Sequence, residues 1–142
     1  MKILITGASG FIGSFIVEEA LRRGFETWAA VRSSSSRQFL TDNRIHFIEL
    51  DFSSETQMTE QLTGLQFDYI VHAAGVTKCL DKADFHRINT EGTQHLVHVL
   101  KSATGVDMAD IMRAGTIDAK VNRNINLNDE ARDAVDNLTG KK

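Results

Sequence analysis

The sequence predicts an α/β fold, a partial doubly wound parallel sheet with helices on both of its faces. An apolar run rich in β-branched residues, residues 2–6, stands directly before three glycines and an amphipathic segment. Further apolar runs then alternate with helix-like segments through connections of a few residues, as in βαβ units. Right-handed crossovers place the four expected strands in the order 3-2-1-4.

The individual elements follow from local patterns. Strands are expected at residues 2–6, 27–32, 45–50 and 67–72, and helices at 11–23, 54–62 and 83–100. Gly24 supplies the stop of the first helix, and Ser54 the start of the second. The apolar residues of the first helix form one stripe, which is expected to be its buried face: Phe11, Ile12, Phe15, Ile16, Ala20 and Leu21.

The pattern changes after Ala103. Residues 106–113 are expected to form a short helix, and residues 117–127 alternate as a half-exposed strand does. A last helix starts at Asn128 or Asp129 and ends before Gly140. These elements do not resemble the next turn of a doubly wound sheet. We therefore set a boundary at residue 103 and expect residues 104–142 to have another origin and to pack on the same domain.

Composition limits the function classes. The net charge of −3 argues against nucleic acid or an anionic membrane as a partner. The single cysteine, Cys79, excludes an intrachain disulfide and favours a reducing compartment. The apolar run at the N-terminus is too short for a signal peptide, and no stretch is long enough to span a membrane. A soluble, cytoplasmic protein is expected.

The three glycines predict a dinucleotide site. Gly7 permits a tight turn after the first strand, Gly10 lets the backbone approach a pyrophosphate, and Gly13 allows close packing of helix and strand. The free N–H groups at the helix start attract phosphate. Arg32, at the end of the second strand, stands where an acidic residue would favour NAD. With the serines and Arg37 that follow, it offers donors to a 2′-phosphate and so favours NADP, with NAD possible.

Three segments carry a family resemblance: "ILITGASGFIGSFIVEEAL", "VHAAGVT" and "INTEGTQHLV". They resemble the N-terminal half of the extended short-chain dehydrogenase/reductases, the NAD(P)-dependent epimerase/dehydratase group, over about residues 1–103. The resemblance implies a Rossmann-like half-domain that binds a dinucleotide cofactor. The positions that it assigns to the cofactor are Gly7, Gly10, Phe11, Ile12, Gly13, Arg32, Asp51, Phe52, Ala73, Ala74 and Gly75. It also implies that Asn89 supports the catalytic region, whereas a helix-surface amide is the alternative.

The catalytic residues of this family do not match the sequence. The family uses a Tyr-x-x-x-Lys pair, but the one tyrosine, Tyr69, is followed four positions later by Ala73. Tyr69 lies in an expected buried strand and is interpreted as a core aromatic. The family's fifth strand is not found in the sequence either. No metal site is predicted, because Glu91, His95 and His98 share a helix face without a fourth ligand.

Several interpretations therefore stay open. The chain is either the cofactor-binding part of an oxidoreductase or epimerase, inactive alone, or a non-catalytic dinucleotide sensor or scaffold. It could also be a shortened or engineered form with an oligomerisation tail. The outer edge of the fourth strand needs a partner, so residues 117–127 or a second chain are expected to cover it. Because residues 83–102 resemble a helix that the family uses for dimerisation, a homo-oligomer is also plausible.

Overall fold

A computed structural model describes residues 1–76 and 80–103 and the backbone of residues 111–113. At its centre lies a parallel five-stranded sheet with the order β3-β2-β1-β4-β5. The strands are β1 Lys2–Thr6, β2 Glu26–Val31, β3 His46–Glu49, β4 Tyr69–His72 and β5 Ile111–Arg113. The predicted α/β class and the order 3-2-1-4 are confirmed.

Helices connect these strands. They are α1 Phe11–Arg22, α2 Glu55–Leu62, α3 Lys82–His86 and α4 Gly92–Ala103, with a π-helical turn, Arg87–Glu91, between α3 and α4. Ser54 caps α2, as predicted, because its side chain accepts a hydrogen bond from the backbone N–H of Gln57. The third predicted helix is thus three consecutive segments. Its expected role in self-association stays a prediction.

The two faces of the sheet have separate cores, as the alternation of side chains along a strand requires. In β1, Leu4 packs with α2 and α4, and its neighbours Ile3 and Ile5 pack with α1. The face toward α2 and α4 is sealed by Met58, Leu62, Leu96, Val99 and Leu100, all almost completely buried.

The buried face of α1 differs from the predicted stripe. Phe11, Ile12 and Phe15 are 79%, 56% and 58% exposed. The buried residues of this helix are Gly13, Val17, Ala20 and Leu21. The prediction is confirmed for Ala20 and Leu21 and was wrong for Phe11, Ile12 and Phe15. It ranked positions by hydrophobicity, whereas α1 approaches the sheet closely on the side where Gly13 provides room.

The outer edge of β4 is paired, but not by the predicted residues. Ile111–Arg113 forms β5, parallel to β4, with Ile70 opposite Ile111 and His72 opposite Arg113. The expectation of a helix over 106–113 was therefore wrong for these three residues, as was the expectation that the family's fifth strand is absent. Pairing satisfies the edge N–H and C=O groups of β4, which outweighs the weak local pattern. The predicted elements at 117–127 and beyond lie outside the described residues.

Tyr69 is less buried than predicted. It is 44% exposed, and its ring meets Phe25 edge-on with centroids 5.7 Å apart. This position at the start of β4 leaves the tyrosine at the end of the sheet opposite to the carboxyl ends of the strands. Within the described residues, no helix has the length and apolar character needed to cross a membrane.

Candidate functional site

A cavity lies at the carboxyl ends of β1, β2, β3 and β4. Here the order in which successive strands are added to the sheet reverses, from one side of β1 to the other. β1 pairs with β2 on one side and β4 on the other, so the connections after β1 and β4 diverge to opposite faces. In open parallel sheets this switch point is where ligands bind. The predicted residues that line the cavity are Gly7, Gly10, Arg32, Phe52, Ala73, Ala74 and Gly75.

The glycine turn forms the floor of this cavity. Gly7 has φ of 66°, and a Cβ there would lie 2.6 Å from backbone atoms of Ala73 and Ala74. A Cβ on Gly13 would lie 2.0 Å from the carbonyl oxygen of Gly7. At Gly10 the nearest contact would be 3.2 Å, to the same oxygen. Gly7 and Gly13 are thus required for packing, whereas Gly10 borders the open cavity.

The first turn of α1 carries unsatisfied backbone donors. Gly10 is the N-cap, no side chain caps the helix, and its first turn contains no acidic residue. The N–H groups of Phe11 and Ile12 therefore have no partner within the helix, and the helix dipole adds partial positive charge there. Phe11, Ile12 and Gly13 were predicted to contact the cofactor but do not line the cavity.

A second cavity adjoins the first at the ends of β2 and β3 and shares Arg32 and Leu50 with it. Its remaining lining consists of Ser33, Ser34, Glu49, Asp51 and Gln57. Arg32 is exposed, and its backbone is fixed by reciprocal hydrogen bonds with Ser35, 3.0 and 2.9 Å long. Among the described residues no carboxylate forms an ion pair with Arg32.

Arg37, the second candidate for a phosphate contact, has other partners. Its guanidinium lies 3.7 Å from the Glu49 carboxylate and stacks over the ring of Phe47, 4.4 Å from the centroid. Arg37 thereby offsets the negative charge of Glu49 beside the second cavity. Among the described residues that line the second cavity, Arg32 is the cation.

Asp51 follows β3 and is tied to its own loop. The Ser53 hydroxyl, at 2.6 Å, and the Ser53 backbone N–H, at 2.9 Å, both donate to Asp51 Oδ1 and hold the pKa of this carboxyl below its ordinary value. The Gln57 side chain bonds the backbone on either side of Leu50: its Oε1 accepts from Asp51 N, and its Nε2 donates to Glu49 O. The carboxylate is exposed and ionised at neutral pH.

On the opposite side of the cavity, β4 ends in small residues. Ala73, Ala74 and Gly75 line it together with Val76, and Asn89 holds Val76 by two backbone bonds, each 2.8 Å long. Asn89 is buried, so the helix-surface alternative was wrong and the amide supports this segment. The predicted positions in the two loops are thereby brought to one cleft.

Several residues of the first cavity were not predicted from the sequence. They are Ser9, Ala30, Val31, Ser35, Leu50, His72, Val76 and Ile88. Most of them are direct neighbours of predicted positions. Their location at the carboxyl ends of β2, β3 and β4 was the signal that could have identified them as site residues. Ile88 lies in the π-helical turn beside Asn89, so the resemblance at Asn89 was its only signal.

The histidines considered as metal ligands have separate roles. His95 Nδ1 lies 2.8 Å from the carbonyl oxygen of Phe52, and His98 Nδ1 lies 2.9 Å from a carboxylate oxygen of Glu55. Glu91 instead faces His86 at 3.6 Å. Over residues 1–76 and 80–103, no three potential metal ligands come together.

Comparison with known proteins identifies the family. The model of the NAD dependent epimerase/dehydratase family matches residues 3–128. This chain belongs to that family. The match extends beyond residue 103, where the family resemblance was expected to end, and includes β5.

Curated relatives include UDP-glucose 4-epimerases. The chain is 30% identical to that of Klebsiella pneumoniae over 114 residues, which are 72% of this chain and 82% of the relative. It is 28% identical to that of Mus musculus over 118 residues, 71% of this chain and 34% of the relative.

Solved structures agree with the fold. The Bordetella bronchiseptica enzyme WbmH in complex with NAD+ has a TM-score of 0.61 and 28% identity, over 72% of this chain and 35% of that one. The UDP-Glc/GlcNAc 4-epimerase of Campylobacter jejuni has a TM-score of 0.65 and 25% identity, over 72% and 34%. The chain therefore spans about a third of the length of these proteins.

Proposed function

We propose that this chain binds a dinucleotide along the carboxyl edge of its sheet, NADP(H) in preference to NAD(H). The observation that carries the proposal is the cavity at the switch point, which the glycine turn and the Ala73–Gly75 segment line together. The resemblance to WbmH, solved with NAD+, supports a dinucleotide as the ligand.

The chemistry of the site fits the parts of such a cofactor. The uncapped first turn of α1 presents N–H donors and partial positive charge, which suit a pyrophosphate. Gly10 and Ala73–Gly75 leave room for a ligand to pass close to the backbone. Arg32 and Asp51, at the second cavity, are available to the adenosine end.

The preference for NADP(H) is supported by Arg32. Its exposed guanidinium carries several donors and a fixed charge, which match the additional 2′-phosphate. Glu49 would oppose that phosphate, but Arg37 pairs with it at 3.7 Å. Asp51 also lines the second cavity as a carboxylate, so the proposed preference depends on direct contact of the Arg32 guanidinium with the phosphate.

Catalysis by the chain alone is not part of the proposal. The resemblance to the extended short-chain dehydrogenase/reductases implies a Tyr-x-x-x-Lys pair as the acid/base group of catalysis. The single tyrosine of this sequence, Tyr69, is followed four positions later by Ala73 instead of lysine. Tyr69 also begins β4, away from the carboxyl edge that holds the cavity. We propose that these 142 residues bind the cofactor without turning over a substrate by themselves.

Amide NMR spectra recorded during titration with NADP+ test the binding site. Saturable shifts are expected at Gly7, Gly10 and Gly75, and no comparable shift at Gly24, a glycine with no neighbouring group within 4 Å of its Cβ position. Absence of a saturable shift at the first three glycines contradicts the proposal. Conversion of UDP-glucose to its 4-epimer by the chain with NAD+ would contradict the proposed inactivity.

A further inference from the structure

We infer that a hydrogen-bond chain through the buried His72 positions the cavity segment 74–76, and that Thr93 fixes the His72 tautomer on which this chain depends. The inference rests on the proposed dinucleotide site, since 74–76 borders that cavity. Thr93 and His72 are thus positioning residues. The chain runs through Thr6, His72, Thr93 and Asn89, from β1 and β4 to the helices behind them.

The direction of each bond follows from the chemistry of its atoms. The Asn89 backbone carbonyl can only accept, so the Thr93 hydroxyl, 2.7 Å away, donates its proton there. Thr93 Oγ1 can then only accept from His72 Nε2, 3.0 Å away. These bonds assign the proton of His72 to Nε2.

The other ring nitrogen completes the chain. Ala74 N–H can only donate, so Thr6 Oγ1 accepts from it at 3.3 Å. The Thr6 hydroxyl proton is free to point to His72 Nδ1, 2.6 Å away, which is an acceptor in the neutral Nε2–H form. One tautomer of His72 thus satisfies every bond of the chain.

Burial makes this arrangement consequential. His72 is 2% exposed and Thr6 is 0% exposed, so water does not easily replace a lost partner. If the proton moved to Nδ1, the Thr6 hydroxyl proton would lose its acceptor in the chain, and Thr93 would have to release Asn89 O to donate to Nε2. The tautomer therefore affects the Thr6 hydroxyl that accepts from Ala74 and the Asn89 residue that holds Val76.

The segment is held at two points. Thr6 bonds Ala74, and Asn89 bonds both the N–H and the C=O of Val76. Asn89 belongs to the π-helical turn, a rare geometry that is frequent at functional sites. The Thr93 hydroxyl group bonds the Asn89 backbone and, through His72, is linked to Thr6. The points that hold Ala74 and Val76 are thus both connected to Thr93.

Three variants test this inference. Thr93→Val keeps the shape of the side chain but removes the hydroxyl group, and Thr93→Ser restores the hydroxyl group. Thr27→Val is the matched control, because Thr27 is a buried threonine in β2 whose hydroxyl donates to Phe25 O, away from the cavity. We expect T93V to weaken NADP+ affinity by about tenfold in calorimetry, T93S to restore it, and T27V to bind as the unmodified chain does. Equal affinities of T93V and T27V overturn the inference.

Two measurements without cofactor separate this inference from the proposed function. The ¹⁵N spectrum of the His72 ring should show the Nε2–H tautomer in the unmodified chain, and the Nδ1–H tautomer would overturn the inference. Exchange of the Ala74 amide should be about tenfold faster in T93V than in T27V. If the unmodified chain bound no dinucleotide, the proposed function would fail, and these two readouts would still decide the role of the hydrogen-bond chain.

Discussion

The two ends of the cleft are built from different parts of the polypeptide. At the glycine turn the site consists of backbone, and two of its three glycines have no room for a Cβ atom. At the adenosine end it consists of exposed side chains, Arg32 and Asp51, on loops after β2 and β3. The proposed binding of a dinucleotide is therefore tied to the fold, whereas the proposed choice between dinucleotides depends on replaceable side chains.

The largest effect on stability is expected at Gly13. Gly13→Ala places a Cβ 2.0 Å from the carbonyl oxygen of Gly7, so α1 must shift away from the sheet. We expect a loss of about 3 kcal/mol in the free energy of unfolding, measured with urea. Gly10→Ala is the control, since its closest contact would be 3.2 Å. Similar losses in both variants would contradict the division of roles within the turn.

The largest effect on binding without unfolding is expected at Gly10. Gly10→Val directs a branched side chain into the cavity, where the phosphates are proposed to lie. We expect the affinity for either dinucleotide to fall about 100-fold, which is about 2.7 kcal/mol, with an unchanged circular dichroism spectrum. Glu18→Val adds a valine at an exposed position of the same helix and should not alter binding. Retained affinity in G10V argues against phosphate at this turn.

At the other end of the cleft, Arg32→Ala should change selectivity more than affinity as a whole. Loss of a charge-assisted contact with the 2′-phosphate is expected to weaken NADP+ about tenfold. NAD+ lacks that phosphate, so its affinity should remain within about twofold. Calorimetric titration of both ligands measures the difference. An equal loss for the two dinucleotides would assign Arg32 a general role.

Arg37→Ala is expected to have a smaller effect. Arg37 acts on the site through Glu49, whose charge it offsets at 3.7 Å, and its guanidinium stacks on Phe47. We expect NADP+ to bind about threefold more weakly. A loss as large as that of R32A would place Arg37 in direct contact with the phosphate.

The smallest effect concerns the titration of Asp51. Its pKa is lowered by the Ser53 side chain first and by the Ser53 backbone second. A lowered pKa stabilises the fold above the unfolded-state pKa, and this contribution is lost as the pH falls through the folded-state value. In Ser53→Ala the pKa should move up toward its ordinary value, as measured by carboxyl NMR titration. No movement would assign the shift to other groups.

The sequence predicts most of the sheet because its strands are short apolar runs with β-branched residues, as in Ile3–Ile5. It predicts the turn because Gly7 and Gly13 occupy positions where backbone meets backbone. Arg32 was identified because it stands at the end of the second predicted strand, and Asp51 through the family resemblance.

The failures have physical reasons as well. Hydrophobicity suggested that Phe11 and Phe15 face the core, but their rings contact each other in solvent-exposed positions, with centroids 5.2 Å apart. β5 depends on pairing with β4, which no local pattern encodes. The chain through His72 joins residues 66 positions apart, Thr6 and His72, and only the fold brings them together.

The central claim is that this cleft binds a dinucleotide and distinguishes it by the 2′-phosphate. Parallel calorimetric titrations of the unmodified chain with NADP+ and NAD+ test it most directly. We expect saturable binding of both, with NADP+ tighter by about tenfold, a difference of about 1.4 kcal/mol. Equal or tighter binding of NAD+ would contradict the preference, and no binding of either would contradict the site itself.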